Sequence, residues 1–336
     1  MRLHRPVYVL GALALLLATA ACGADATSGD DWPATSTLVD TSALSWADGS
    51  VIHLPGGDET DIHERVVSYV LAGDGAYARV GDPNAAALPV VHVTAGGTEA
   101  TGIKADSLAA SPDGRFLVTT DPTAGGDGLA DENPITIVDL ETGTQVLHSG
   151  KHMGDPARDD NYDDVDPGVL LVDDTDAYID TVDGLRRFVL ATGDSRPLTQ
   201  AERFAPGAPW NNIGQEPRTR WNADHTWAFE TPRAAGWHGR FRDAGHRRVT
   251  PRTGASRWHF RLWLDDHTAL GYAIKGPGDP HRNRLVDGDT AALMTCTVPD
   301  GACSVVPGSA KPSKVVRPYS DDPYDDIRPL PENQLP

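Results

Sequence analysis

Short apolar runs broken by clusters of Asp, Gly and Pro set the pattern of this chain from about residue 40 to residue 310. No long stretch carries the 3.6-residue apolar period of an amphipathic helix, so the runs predict many β-strands. They fall into two recurring patterns. In the first, an apolar run meets a tight glycine turn and a second short strand follows. It reads SWADGSVIHL around Gly49, VHVTAGGTEA around Gly96 and IVDLETGTQVL around Gly143, and returns as FVLATGDSRPL around Gly193, RFRDAGHRRV around Gly245 and TCTVPDGACSVV around Gly301. The steps between these glycines are 47, 47, 50, 52 and 56 residues. Glycine suits the site because the third residue of such a loop usually has a positive φ, which strains residues that carry a Cβ. The second pattern lies upstream and is built on an acidic turn. Its clearest copy is LAASPDGRFLVTT at 108–120; looser copies are LAGDGAYARV at 71–80, VDDTDAYIDTV at 172–182, NADHTWAFE at 222–230 and LDDHTALGYAI at 264–274. Each unit therefore holds four strands, two around the acidic turn and two around the glycine turn.

Four-stranded sheets repeating every 40 to 50 residues are the mark of β-propeller blades. The expected fold is all-β, a single β-propeller of four-stranded antiparallel blades. The segment SPDGRFLV, residues 111–118, resembles the blade motif of TolB-like and WD-repeat-like propellers. With its Ala-, Gly-, Asp- and Arg-rich composition, the chain also resembles the propeller lipoproteins of actinobacteria. Five full units run at about 60–103, 104–150, 165–200, 215–253 and 254–307, while 40–56 supplies the last two strands of a further blade. An open blade edge leaves backbone groups unpaired. Strands within 308–320, such as SKVVRPY, are therefore expected to join 40–56 and complete a sixth blade. Seven blades is the alternative count, and a pair of β-sandwiches accounts less well for the even period.

The first residues follow a different logic. Arg2, His4 and Arg5 precede a short apolar run from Val7 to Ala18, an export signal rather than a span, since a bilayer needs roughly 20 apolar residues. The run ends in Thr19-Ala20-Ala21-Cys22, which resembles the lipobox of bacterial lipoproteins, although Thr19 stands where a large aliphatic residue is usual. The resemblance implies lipidation at Cys22 and anchoring to the outer face of the cytoplasmic membrane; a plainly cleaved secreted protein is the alternative. The expected layout is a signal peptide at 1–21, a flexible tether at 22–39, the propeller at 40–320, and a disordered acidic, Pro-containing tail at 321–336.

Charge narrows the partners. The chain carries a formal −19, which argues against nucleic acid, whose phosphates need a basic surface. The acidity is uneven: residues 201–284 hold 14 Lys or Arg against 8 Asp or Glu. Six of the eight tryptophans, Trp210, Trp221, Trp227, Trp237, Trp258 and Trp263, lie in this same region, interleaved with arginines. Guanidinium groups beside aromatic rings favour planar, anionic or sugar ligands, making Trp237, His238, Arg247 and Arg248 the candidate ligand-binding residues. The same arginines are alternatively partners for acids of neighbouring blades.

The remaining chemistry is sparse. No Gly-x-Ser-x-Gly elbow, His-Glu-x-x-His helix or phosphate-binding Gly-x-x-x-x-Gly-Lys loop is present. In ARDDNYDDVDPG, residues 157–168, Asp159, Asn161 and Asp163 match the first places of a calcium loop, but Asp164 replaces the required glycine and Leu170 the bidentate acid. NADHTWAF, 222–229, resembles in part the structural Asp-box turn of sialidase-like propellers. No metal and no cofactor are expected. Cys296 and Cys303 face each other across a Pro-Asp-Gly hairpin in an exported chain, and a disulfide is expected between them. The functional expectation is a monomeric, non-catalytic binding or scaffolding module for an envelope protein or an anionic wall polymer or glycan. The alternative is an extracellular glycosidase-like hydrolase, which needs two carboxylates flanking one bond.

Overall fold

The computed structural model describes residues 32–124, 133–154, 167–205, 219–230, 238–277 and 288–312. Their strands form six antiparallel sheets, one after another along the chain. Blade 1 holds β1 (Trp46–Asp48), β2 (Val51–His53) and β3 (Glu59–Asp61). Blade 2 holds β4 (Val66–Ala72), β5 (Gly75–Val80), β6 (Leu88–Thr94) and β7 (Gly97–Ala105). Blade 3 holds β8 (Ser107–Ala110), β9 (Phe116–Thr120), β10 (Ile135–Asp139) and β11 (Thr144–Ser149). Blade 4 holds β12 (Gly168–Val172), β13 (Asp176–Asp180), β14 (Arg186–Val189) and β15 (Ser195–Pro197), followed by one helical turn, α1 (Gln200–Arg203). Blade 5 holds β16 (Thr219–Trp221), β17 (Trp227–Glu230), β18 (Arg240–Asp243) and β19 (Arg248–Val249). Blade 6 holds β20 (Arg257–Trp263), β21 (Thr268–Lys275), β22 (Thr290–Thr297), β23 (Cys303–Val305) and β24 (Lys311–Pro312). This is a six-bladed β-propeller, each blade a meander in which sequential strands pair, except that β24 pairs with β22.

What holds the blades together is apolar surface on both faces of the middle strands. In β9 every residue is buried, and in β5 all but Arg79. Blade 1 packs on blade 2 through Ile52, Leu54 and Ile62 against Tyr69, Leu71 and Val80. Blades 2 and 3 share Val70, Tyr77 and Val90 with Leu108, Leu117 and Val138. Blades 3 and 4 share Val118, Ile135 and Ile137 with Ile179, Phe188 and Leu190, and blades 5 and 6 share Phe229, Phe241 and Phe260. The ring is joined end to start by Trp46 of β1, which is buried among Leu262, Leu270, Tyr272 and Leu293 of blade 6.

The predicted units match blades 2 to 6 closely, with three differences. Residues 59–61, expected at the start of the second unit, form the third strand of blade 1. In the closing segment, Lys311–Pro312 pairs with β22 of blade 6, not with the first blade, although Lys311 forms an ion pair with Asp48 at the end of β1; residues 313–320 lie outside the described residues. The third difference is the tether. From Trp32 onward it is a packed strap. Trp32 is buried in the core of blades 2 and 3 and lies 6.2 Å from the Tyr77 ring. Thr35 N–H donates to the Leu140 carbonyl at 2.9 Å, Val39 N–H to the Gly73 carbonyl at 2.6 Å, and the Thr41 hydroxyl to the Pro112 carbonyl. Residues 22–31 and the tail 321–336 lie outside the described residues.

The glycine turns explain why the strap fits. Gly143 has φ +68, and a Cβ there would stand 2.4 Å from the Trp32 carbonyl oxygen, so the crossing requires both the conformation and the missing side chain. Positive φ also occurs at Gly49, Gly193 and Gly301 as expected. Two turns shift by one residue: at Gly96 the left-handed position is Gly97, and at Gly245 it is His246, with φ +67.

Aspartates supply the other turn element. At Asp40, Asp61, Asp82, Asp113, Asp121, Asp139, Asp173, Asp224, Asp265 and Asp300 a carboxylate oxygen accepts the backbone N–H two residues on. Such Asx turns replace backbone pairing at the hairpin tips. Ten of the chain's 48 acidic residues thus serve as turn caps.

Candidate functional site

The Arg- and Trp-rich stretch resolves into blade 5 and the edge of blade 6. Arg242 pairs with Glu230 at 2.7 Å, Arg248 approaches the same carboxylate at 3.6 Å, and Arg247 pairs with Asp243 at 3.0 Å. Arg252 reaches Asp300 of blade 6 at 3.5 Å, and Arg257 pairs with the fully buried Asp289 at 2.7 Å. Two guanidiniums also lie over indoles, Arg242 over Trp221 at 5.2 Å and Arg247 over Trp227 at 5.3 Å. Among the described residues, these five arginines are therefore matched by acids of the same or the next blade. Arg247 and Arg248 keep side-chain exposures of 62%, so both remain open on their outer sides.

The three predicted ligand residues that are described, His238, Arg247 and Arg248, do not form one cluster. Trp237 lies outside the described residues. His238 bridges to Trp258, its ring 4.5 Å from that indole, and Nε2 lies 2.9 Å from the Ser256 carbonyl. It stands before the start of β18, whereas Arg248 pairs with Arg242 at the far end, on the order of 13 Å away along the strand. The other blade 5 histidines serve locally: His225 and His246 take left-handed turn positions, and His246 Nδ1 lies 2.8 Å from Arg242. Cys22 and the 159–164 acidic run also lie outside the described residues. Cys296 and Cys303 are directly paired in register and disulfide-bonded, with Cα atoms 4.1 Å apart. Asp180 of β13 is the carboxyl that burial lifts above its usual range, against the pull of its own Thr181 backbone bond and Arg203.

A second site was not legible in the sequence. Register places Tyr77 of β5, His92 of β6 and Glu99 of β7 abreast on three adjacent strands of blade 2. The His92 ring stacks on Tyr77 at 4.7 Å, and its Nε2 lies 3.0 Å from Asp74 Oδ1 in the β4–β5 turn. Burial pushes the Tyr77 phenol well above its ordinary range, and Asp74 and Glu99 push it further. Above this row opens a cleft of about 370 Å³. Its far wall is the strap, Pro33 to Thr35, and its near wall is the β6–β7 hairpin from Thr94 to Glu99. Three of these residues come from one blade and carry no motif spacing; the wall opposite comes from a segment read as tether.

Comparison with known proteins adds little to this geometry. No family model matches the chain, and no curated protein does. Among solved structures, the chain is similar to a putative TolB from Agrobacterium tumefaciens at 12% identity, over 72% of this chain and 80% of that one, with a TM-score of 0.30. It is also similar to a chain of the mitotic checkpoint complex at 13% identity, over 92% and 90% of the two chains, with a TM-score of 0.28. The propeller assignment stands on strand order and inter-blade packing.

Proposed function

We propose that the protein is an exported lipoprotein, held through Cys22 at the outer face of the cytoplasmic membrane, whose propeller binds or scaffolds an envelope partner or an anionic or glycan ligand without catalysing a reaction. The observation that carries this reading is the docked strap. The chain that follows Cys22 is built into the seam of blades 2 and 3 from Trp32 onward. The exposed Arg247 guanidinium over Trp227, with the exposed Arg248 next in sequence, suits a planar or anionic group. The hydrolase alternative needs two carboxylates around one bond, for which Asp74 and Glu99 of the blade 2 cleft are candidates among the described residues.

Two measurements test it. Cys22→Ser should release the chain from the membrane fraction and abolish labelling by a fatty-acid probe; retention with unchanged labelling refutes the anchor. Arg247→Glu with Arg248→Glu should weaken capture by anionic wall polymer by about tenfold, with steep salt dependence in the parent chain. Unchanged capture removes blade 5 as the binding surface.

A further inference from the structure

The cleft beneath the strap has a chemistry unlike that of blade 5. Its lining residues include two carboxylates, Asp74 and Glu99, one imidazole, His92, and no lysine or arginine. Whether His92 is neutral or protonated, the set keeps a net negative charge. The remaining polar groups are threonines: Thr35 and Thr98, and Thr94, whose hydroxyl accepts the Gly96 N–H at 3.1 Å. His92 has a side-chain exposure of 10%, and its Nε2 is buried without an aligned hydrogen bond despite the 3.0 Å approach to Asp74. Beneath the cleft the rings of Trp32, Tyr77 and His92 follow one another at 6.2 and 4.7 Å; Trp32 and Tyr77 are buried, and of the three only His92 reaches the lining. Two carboxylates that face one cleft are suited to charge-assisted hydrogen bonds from an ammonium or guanidinium group.

From this geometry we infer that the blade 2 cleft is a binding site for a small organic cation bearing an ammonium or guanidinium group, with Asp74 and Glu99 as its charge partners. Strand register fixes Glu99 in the row Tyr77–His92–Glu99, and Asp74 sits in the tight turn between β4 and β5, within 3.0 Å of His92 Nε2. The strap closes the other side, and because Trp32 packs under the same ring stack, ligand binding and strap docking are linked. A ligand that touches both walls favours the docked strap by as much as the docked strap favours the ligand.

Agmatine, with a guanidinium at one end and an ammonium at the other, is a suitable probe, and 1,4-butanediol its uncharged match. In ligand-observed NMR with the whole chain, agmatine should show saturation transfer and butanediol none, and added salt should weaken the signal. Glu99→Gln lies on an exposed position of β7 and leaves the packing intact. Together with Asp74→Asn it should weaken agmatine by about tenfold or more. The double variant Asp58→Asn with Asp174→Asn removes the same charge from exposed turns elsewhere and should leave binding unchanged. Agmatine should also protect the strap from proteolysis. The inference is overturned if agmatine fails to bind at millimolar concentration, if butanediol binds as well, or if the control variant weakens binding as much as the cleft variant, which would indicate general attraction to an acidic chain. Binding lost on loss of a folded chain is separated from these by the melting temperature of Glu99→Gln alone.

Discussion

The acidic turns of blade 3 and blade 5 have the same hydrogen bonds and different residues. In blade 3, Phe116 N–H donates to Ser111 Oγ at 2.9 Å, Gly114 N–H to the Ser111 carbonyl at 2.8 Å, and Arg115 N–H to Asp113 Oδ1 at 3.0 Å. In blade 5, Trp227 N–H donates to Asn222 Oδ1 at 2.9 Å, His225 N–H to the Asn222 carbonyl at 3.0 Å, and Thr226 N–H to Asp224 Oδ1 at 2.9 Å. The fourth residue is left-handed in both, with φ +73 at Gly114 and +58 at His225. What differs is what crosses the turn. A Cβ on Gly114 would meet Thr41 of the strap at 3.0 Å and the Leu71 carbonyl at 3.2 Å. In blade 5 the neighbour is instead Asp266, whose carbonyl accepts Asn222 Nδ2 at 2.7 Å. The well-matched motif SPDGRF thus marks the place where the chain's own N-terminal segment passes over its glycine, whereas in blade 5 the neighbouring Asp266 contacts Asn222 and Asp224 and a histidine stands at the left-handed position.

The largest break in this comparison is removal of the strap's anchor. Trp32→Ala takes a buried indole from the core of blades 2 and 3 and should cost about 3 to 5 kcal/mol. Urea unfolding should show the loss, and limited proteolysis should cut within 32–45 while the blade 5 turn is unaffected. Intact strap protection in the variant would show that the backbone bonds of Thr35 and Val39 alone hold it. A smaller effect separates the two turn residues themselves. Gly114→Ala meets both a left-handed backbone and the strap, and should cost about 1 to 2 kcal/mol. His225→Gly relieves strain but loosens the unfolded chain, so its change should stay within about 0.5 kcal/mol. Equal losses at both sites would mean that the strap plays no part.

The smallest effect is in acid. Two hydrogen bonds from Thr226, hydroxyl and backbone, hold the Asp224 carboxyl below its usual range, and Asp40, Asp61, Asp82 and Asp300 are lowered by similar turn bonds. Glu202 is lowered to about 2, chiefly by Arg196 and then by the Thr199 cap of α1. Because the folded values are depressed, the stability they contribute is present above the unfolded values and is lost as pH falls through the folded ones. Melting temperature should therefore drop on acidification from about pH 5 to pH 2, and Asp224→Asn should flatten that drop slightly. A flat profile in the parent chain would contradict the turn bonds.

Blade number, strand order and the disulfide were legible because each rests on local pattern: apolar alternation, turn residues at even spacing, and two cysteines across one hairpin. The one-residue shifts to Gly97 and His246 were not legible, since Gly96–Gly97 offers two candidates and histidine also tolerates the left-handed region. The pairing of Arg242, Arg247 and Arg257 depends on which acids the fold brings near, so arginine content alone left ligand binding and pairing with neighbouring acids as alternatives. The strap was hidden for a similar reason. A stretch rich in Ala, Thr, Ser and Asp reads as unpacked, and its docking depends on one tryptophan and on bare glycines in another blade.

Burial of Trp46 between blade 1 and blade 6 places the first and last parts of the ring in a single core. A chain that emerges N-terminus first keeps one side of blade 1 uncovered until residues through β22 have been made. Every blade interface but this one joins neighbours in sequence, so the final step of assembly is also the one of longest range and slowest closure. A stop anywhere before blade 6 would leave an apolar flank exposed at each end of an open arc, and quality control in the compartment of folding would meet that species before the ring had closed.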